Sequence, residues 1–186
     1  MAEMRRYKRE VQDTRQIRRL LEECQVLRIG TMDQEGMFIV PVSYGYEYEE
    51  DGSLRFYIHS AGEGRKVQAF RQQERVAVEL DCADGLIRGD YTCQYSMAFR
   101  SLMGSGKICL LSGPEKLRGL KLLMRHTAPE SRISFSDEMV EAVHVYAIRM
   151  EEFRVKMREP GRTASCCPPE PADIQHNKKE FETHEI

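Results

Sequence analysis

The 186-residue sequence contains no tryptophan and no apolar run close to the roughly 20 residues that a membrane-spanning helix needs. Its N-terminal MAEMRRYKRE carries positive charge without an apolar segment behind it, so it does not resemble a signal peptide. The 28 basic and 30 acidic side chains leave a formal net charge of -2, which favours neither nucleic acid nor a membrane surface as a partner. The length predicts one main domain with a substantial core.

Cysteine pairs with metal-binding or redox spacing are also absent. The sequence has six cysteines and no CxxC pair. Four of them, Cys24, Cys82, Cys93 and Cys109, lie in apolar or strand-like surroundings, where a free thiol is usually a small core residue. We therefore expect a reduced, cytoplasmic protein. No Ser–His–Asp or Cys–His nucleophile set is visible.

Short apolar stretches between turn residues predict a mainly β protein with flanking helices. The predicted strands cover residues 25–32, 37–48, 54–58, 75–81, 91–102, 107–112 and 143–150 or 143–155. The last pair before the C-terminal strand is expected to turn at the glycines of residues 104–106, and residues 82–90 are expected to form a loop. Helices are predicted near residues 13–24, 63–73, 114–124 and 137–142. Because most connections are short, this pattern indicates an antiparallel barrel or sandwich.

Pro41 lies inside the second predicted strand. Proline cannot donate a hydrogen bond to a neighbouring strand, so position 41 is expected at a sheet edge or bulge. Sheets are often opened at such places for a ligand. Tyr44, Tyr46 and Tyr48 follow at every second position and are expected to form a sheet surface.

The stretch FYIHSAGEGRK, residues 56–66, carries the clearest chemical pattern. It begins as a strand and ends as the first turn of a helix, so His59, Ser60, Arg65 and Lys66 meet beside free backbone N–H groups. This arrangement suits a phosphate dianion. The alternative is a plain strand–turn–helix with solvated basic residues. Basic residues at a helix start oppose the helix dipole, and a bound anion would remove that conflict. The stretch fits neither the Walker A pattern nor the Rossmann GxGxxG pattern.

Two further features are interpreted more simply. His126 ends an apolar helix and is expected to interact with the last carbonyl groups of that helix, with substrate binding as the alternative. The proline-rich, charged segment 158–186 is expected to be a solvated extension after a domain covering residues 1–157. Cys166, Cys167 and His176 lie in that extension, but a lone vicinal cysteine pair is weak evidence for a metal site, so we predict none.

Three stretches in this order carry a family resemblance: RIGTMDQEGMFIVPVSYGYEY, LRFYIHSAGEGRKVQAFRQQERVAVELD and FRSLMGSGK. Together they resemble the pyridoxamine 5′-phosphate oxidase-like superfamily of FMN-binding split β-barrels. Within it, RRYKRE and LLMRHTAP look most like the Nim-type branch, which is named for 5-nitroimidazole resistance. The resemblance covers roughly residues 4–157.

The resemblance implies a homodimer that binds FMN in two clefts between its subunits. It assigns the FMN phosphate to His59, Ser60, Arg65 and Lys66. It assigns the wall of the isoalloxazine ring to Val40, Pro41, Val42, Ser43 and Tyr44. It assigns contacts from the other subunit to Arg100, Ser101 and Leu102.

The activity that the resemblance implies is electron transfer through FMN. A reduced nicotinamide or a protein would be the donor, and a small molecule such as a nitroaromatic would be the acceptor. A non-catalytic FMN-binding or redox-sensing protein and a haem-binding split barrel remain alternatives. The chain lacks the basic C-terminal substrate motif of true pyridoxamine phosphate oxidases. It also has Lys107 after Gly106, where the Nim-type branch commonly has a short residue such as alanine. No catalytic side chain is assigned.

Overall fold

The structure, a computed structural model, describes residues 7–160. Its strands are β1 (Glu10–Val11), β2 (Leu27–Asp33), β3 (Gly36–Val42), β4 (Gly45–Tyr48), β5 (Leu54–Ser60), β6 (Arg75–Ile87), β7 (Ser96–Leu110) and β8 (His144–Arg158). Its α-helices are α1 (Thr14–Glu23), α2 (Arg65–Gln72), α3 (Gly113–Thr127) and α4 (Asp137–Glu141). No helix within residues 7–160 is long and apolar enough to cross a membrane. The predictions for Cys166, Cys167 and His176 lie outside the described residues.

The strands form one antiparallel sheet in the order β3-β2-β6-β7-β8-β5-β4, with β1 paired to β8. β3 and β4 lie at opposite ends of this order, yet only Ser43 and Tyr44 separate them in the chain. A connection this short spans on the order of 10 Å, so the sheet must curve until its two edges lie side by side. The result is a split antiparallel β-barrel, as the sequence predicted.

The core lies on the concave side of the sheet, where α1 closes one part of the barrel. The side chain of Asp13 accepts a hydrogen bond from the backbone N–H of Arg15 at 2.8 Å, which caps the helix as expected. α1 then buries Ile17, Leu20 and Leu21. The α1 prediction is confirmed because its apolar residues recur at helical spacing.

β7 does not turn at Gly104 and Gly106, contrary to the sequence prediction, but passes through both as one strand. A Cβ at position 104 would lie 2.2 Å from the carbonyl oxygen of Glu152, and one at position 106 would lie 2.5 Å from that of Arg149. The glycines therefore permit the close approach of β8, at a point where the pairing of the two strands shifts register.

The expected loop over residues 82–90 is also wrong for residues 82–87. β6 continues to Ile87, and its pairing with β7 shifts between Ala83 and Gly85. A bulge lets a strand absorb an extra residue without ending. The hairpin of β6 and β7 is therefore longer than the sequence indicated.

The three alternating tyrosines do not form an outer sheet surface. Tyr44 is fully buried and Tyr48 is 8% exposed, while Tyr46 is half-buried. The Tyr44 hydroxyl lies 2.9 Å from the carbonyl oxygens of both Leu21 and Cys24, to which it can donate. The prediction fails because Tyr44 and Tyr48 belong to the core and Tyr46 packs against it. Tyr44 also joins the end of α1 to the link between β3 and β4.

The cysteine prediction is also corrected within the described residues. Cys24 and Cys82 form a disulfide that joins the end of α1 to β6, with their Cα atoms 6.1 Å apart. Cys93 and Cys109 are exposed free thiols rather than core residues. Sequence context did not reveal that the first pair lies face to face or that the other two point outward.

Candidate functional site

The start of α2 is open to an anion. Gly64 precedes the helix with a φ of 118°, and no side chain caps the first turn. The Gly64 carbonyl accepts from the N–H groups of Val67 and Gln68, which leaves the N–H groups of Arg65 and Lys66 at the exposed end. A Cβ at position 64 would meet nothing within 4 Å, so the approach is unobstructed. A helix start of this kind attracts phosphate through its N–H groups and dipole.

Arg65 lies beside this helix start, held by the turn between β2 and β3. Its Nε and Nη2 atoms donate to the two carboxylate oxygens of Asp33 at 2.6 and 2.9 Å. The guanidinium carbon also lies 4.2 Å from the centre of the Phe38 ring. The pKa of Asp33 is lowered chiefly by its hydrogen bonds from Arg65, so the carboxylate stays ionised.

The other three predicted phosphate ligands differ in what they offer. The pKa of His59 is lowered, mainly because the surrounding protein desolvates the ring and also because Lys66 adds positive charge nearby. The positive charge of Lys66 therefore disfavours protonation of His59. That these groups bind one phosphate together stays a prediction. Ser60 is buried, and its hydroxyl donates to the carbonyl oxygen of Ala61 at 2.9 Å. In this arrangement the Ser60 hydroxyl proton is engaged by a backbone carbonyl and is not available to a phosphate.

The predicted ring wall lies on β3 and the link to β4. β3 ends the strand order, so Pro41 lies on an edge strand as expected, opposite Arg28 of β2. Pro41 and Ser43 are exposed, and Val40 and Val42 pack against the core from the other face. Because the side chain of Tyr44 is buried, only its backbone can face a ligand at this edge.

The predicted partner-side residues point in different directions. Arg100 donates to Asp84 at 2.6 and 2.8 Å and to Glu23 at 2.5 Å, and these acidic partners raise its pKa. Leu102 is fully buried in the core of its own chain. Ser101 is half-buried and pairs with Asp81 and Lys156 on the neighbouring strands. Within one chain these three residues do not form a common surface.

His126 contacts the ring-wall segment, which sequence reasoning missed. Its Nδ1 donates to the carbonyl oxygen of Tyr44 at 2.8 Å, rather than interacting with the last carbonyls of α3 as predicted. Its ring lies 4.3 Å from that of Tyr44. A cavity of about 290 Å³ lies beside it, lined by Glu22, Tyr46, Leu122, Arg125, His126 and Pro129. No local motif marks this contact, because 82 positions separate the two residues.

The curved sheet and the open helix start define a split-barrel protein with a candidate anion site. A sequence profile of the pyridoxamine 5′-phosphate oxidase family matches residues 13–157, and the chain belongs to this family. None of the curated proteins matches the sequence.

Solved structures agree with this assignment. A proposed 5-nitroimidazole antibiotic resistance protein from Bacteroides thetaiotaomicron is 26% identical, with a TM-score of 0.68 over 80% of this chain and 86% of that chain. The flavocytochrome Anf3 from Azotobacter vinelandii is 20% identical, with a TM-score of 0.70 over 97% of this chain and 92% of that one. The FAD and heme binding protein from Mycobacterium smegmatis is 16% identical, with a TM-score of 0.69 over 81% and 74% of the two chains. The last two similarities establish the fold alone.

Proposed function

We propose that this protein is a flavoprotein that binds FMN and passes electrons to a small acceptor such as a nitroaromatic. The observation that carries the proposal is the uncapped start of α2 with Arg65 and Lys66 beside it. The family match and the similarity to a proposed nitroimidazole resistance protein support the same assignment. Pyridoxamine phosphate oxidation is not proposed, because the chain lacks the basic C-terminal substrate motif.

The residues at the start of α2 fit a phosphate group. The first N–H groups of the helix and the charges of Arg65 and Lys66 supply donors and positive potential. His59 can accept or donate a hydrogen bond there, depending on its protonation. FMN, when bound, supplies the redox chemistry, while the protein supplies binding and orientation. A reduced nicotinamide or a protein is the proposed electron donor.

The ring of the flavin is proposed to lie along β3 and the link to β4. An edge strand leaves alternate backbone groups without a strand partner, and these can meet polar atoms at a ring edge. Pro41 has no N–H and can only shape the wall, so the donors would come from Val42, Ser43 or Tyr44. Donors placed there would stabilise negative charge on a bound ring.

A homodimer is proposed as the assembled form, with a second copy covering the outer face of β2, β3 and β7. Met32, Met37 and Ile39 are exposed by 49%, 85% and 68% on this face, and Met103 of β7 is exposed by 47%. Met32 lies directly opposite Met37, while the small residue Gly30 lies opposite Ile39. Met32, Met37 and Ile39 form an exposed apolar cluster on β2 and β3, while β6 separates them from Met103 and places Glu79 and Asp81 beside Arg28 on the same face. An exposed apolar cluster with a polar rim favours a protein–protein contact.

The alternatives are a non-catalytic FMN-binding or redox-sensing protein and a haem-binding split barrel. Two structures with the same fold are described as a flavocytochrome and as an FAD and heme binding protein. Haem and FAD are therefore the alternative cofactors that the experiment must distinguish from FMN. The absorbance spectrum of the purified protein separates flavin from haem, and released cofactor identifies FMN or FAD by mass. Anaerobic reduction by NADH or NADPH, followed by turnover of a nitroaromatic, separates an enzyme from a carrier. A purified protein that binds no flavin on reconstitution would overturn the proposal.

A further inference from the structure

Asp33 and Arg65 form a two-point contact between the end of β2 and the start of α2. Arg65 uses Nε and one N–H of Nη2 for this contact, at 2.6 and 2.9 Å. Asp33 is itself held, because one of its carboxylate oxygens accepts the backbone N–H of Glu35 at 2.9 Å. The Asp33 side chain is only 15% exposed, against 45% for Arg65. The carboxylate is therefore the fixed member of the pair and the guanidinium is the member that it orients.

Phe38 restricts the remaining freedom of the Arg65 side chain. Its ring centre lies 4.2 Å from the guanidinium carbon, close enough for a cation–π contact. The carboxylate sets the direction of the guanidinium, and the aromatic ring adds a contact with its carbon. Phe38 lies on β3, so both contacts come from the β2–β3 hairpin rather than from α2 itself.

The oriented guanidinium still has donors to offer. Arginine carries five N–H groups, and Asp33 takes two of them. Glu35 lies farther away, 3.5 Å from Nη2, and its side chain is 78% exposed. Both N–H groups of Nη1 lie on the side of the guanidinium opposite the Nε and Nη2 edge that contacts Asp33.

We infer that Asp33 is a positioning residue for phosphate recognition, because it holds Arg65 ready beside the open start of α2. This inference rests on the proposed function, since it concerns the phosphate of the proposed FMN. An arginine that is ordered before binding loses less side-chain entropy when the anion arrives. The inference requires this gain to exceed the repulsion between the Asp33 carboxylate and the phosphate. Asp33 acts only through Arg65 and does not contact the ligand.

The test measures the affinities of FMN and riboflavin for the full-length protein and compares their ratio among variants. Riboflavin carries the same ring without the phosphate, so a general disturbance of the fold changes both affinities and leaves the ratio unchanged. Asp33→Asn and Asp33→Ala both remove the charge, but only Asn keeps an acceptor for Arg65 and for the Glu35 N–H. Glu35→Gln is the matched control, because it removes a charge near the same guanidinium without removing its fixed partner.

We expect Asp33→Ala to lower the preference for FMN over riboflavin by about two- to tenfold, the range for one lost hydrogen bond. Asp33→Asn should lower it less, and Glu35→Gln should leave it unchanged or raise it slightly. In an Arg65→Ala background, Asp33→Ala should no longer lower the ratio and should leave it unchanged or raise it slightly, because only the repulsion between the carboxylate and the phosphate is then removed. An unchanged or increased FMN preference in Asp33→Ala would overturn the inference, as would an equal loss when Arg65 is already absent.

The same data separate this inference from the proposed function. If Arg65→Ala lowers the FMN preference while Asp33→Ala does not, the phosphate site stands and the positioning role is wrong. If Arg65→Ala leaves the preference unchanged, both the phosphate role of Arg65 and the positioning role of Asp33 are wrong. If the unaltered protein binds neither flavin, the proposed function fails and the inference fails with it.

Discussion

The Nδ1 atom of His126 donates a hydrogen bond to the carbonyl oxygen of Tyr44 across 2.8 Å. This contact joins the last turn of α3 to the link between β3 and β4. It lies where the two edges of the sheet approach each other, so a residue far along the chain holds the segment proposed to line the ring.

Replacing His126 tests this contact directly. His126→Phe keeps a ring beside Tyr44 but leaves the buried carbonyl without its donor, so the free energy of unfolding should fall by about 1–3 kcal/mol. His126→Asn keeps an N–H donor near the position of Nδ1 and should lose less. Urea unfolding of the apoprotein measures both. If the Phe variant is at least as stable as the Asn variant, the hydrogen bond is not what stabilises this link.

If the phosphate of FMN binds at the start of α2, removing a positive charge there should weaken FMN binding more than removing one at the end of the helix. Lys66→Ala or Arg65→Ala should weaken FMN binding roughly ten- to hundredfold, because each removes a charge-assisted hydrogen bond worth about 1.5–3 kcal/mol. Arg71→Ala is the matched control, since Arg71 lies in the last turn of the same helix. Fluorescence titration of the apoprotein with FMN gives the dissociation constants. Equal effects at Arg71 and Lys66 would indicate a general charge effect rather than a site.

The proposed dimer predicts that a charge on the outer sheet face prevents assembly. Ile39→Glu places a carboxylate at the centre of the apolar face, where burial without a partner is costly, so the protein should become monomeric. Met139→Glu is the control, because Met139 is also 61% exposed but lies on α4. Light scattering measures the mass of each variant. The proposed interface is contradicted if the unaltered protein is a monomer with FMN bound. It is also contradicted if the Ile39→Glu variant remains a dimer.

His59 predicts a pH dependence of folding. Its pKa in the folded protein is lowered from the ordinary value of 6.5, first by desolvation and then by the charge of Lys66. The unfolded chain therefore binds more protons in the window just below pH 6.5, and stability must fall as the pH decreases through that window. The loss levels off below the folded-state pKa. At pH 7.5 the group is neutral in both states and has no such effect.

Urea unfolding of the apoprotein at pH 7.5 and 5.5 checks this prediction. The loss of stability between these values should be smaller in His59→Gln, which does not titrate. Lys66→Met should also reduce the loss, because it removes the second cause of the shift. The carboxylates with lowered pKa, such as Asp33, lose their contribution only at more acidic pH. Equal losses in all three proteins would exclude His59 as the responsible group.

Local patterns in the sequence were sufficient to predict α1, the β2–β3 hairpin and the edge position of Pro41. Each depends on neighbours within a few positions: the Asp13 cap with helical spacing behind it, a short polar turn, and a residue without an N–H. The motif at residues 56–66 likewise predicted a strand that leads into an open helix start. These features form as predicted because they depend on residues that are close together in the sequence.

Other features were decided only when distant segments met. Gly104 and Gly106 have the same local signal as a turn, but the close passage of β8 makes them interior strand residues. Tyr44 alternates like a surface residue, but α1 lies over it. Cys24 and Cys82 are 58 positions apart, so no local pattern reveals their pairing.

The sequence by itself therefore determined the mainly antiparallel β class and most helices, which follow from hydrophobic spacing and turn residues, and the order of its motifs pointed to the split-barrel family. The tertiary structure alone decided that Asp33 holds Arg65 at the start of α2 and that His126 binds the Tyr44 carbonyl. Such contacts join residues that are 32 and 82 positions apart, and their geometry exists only after the sheet has curved and the helices have packed on it.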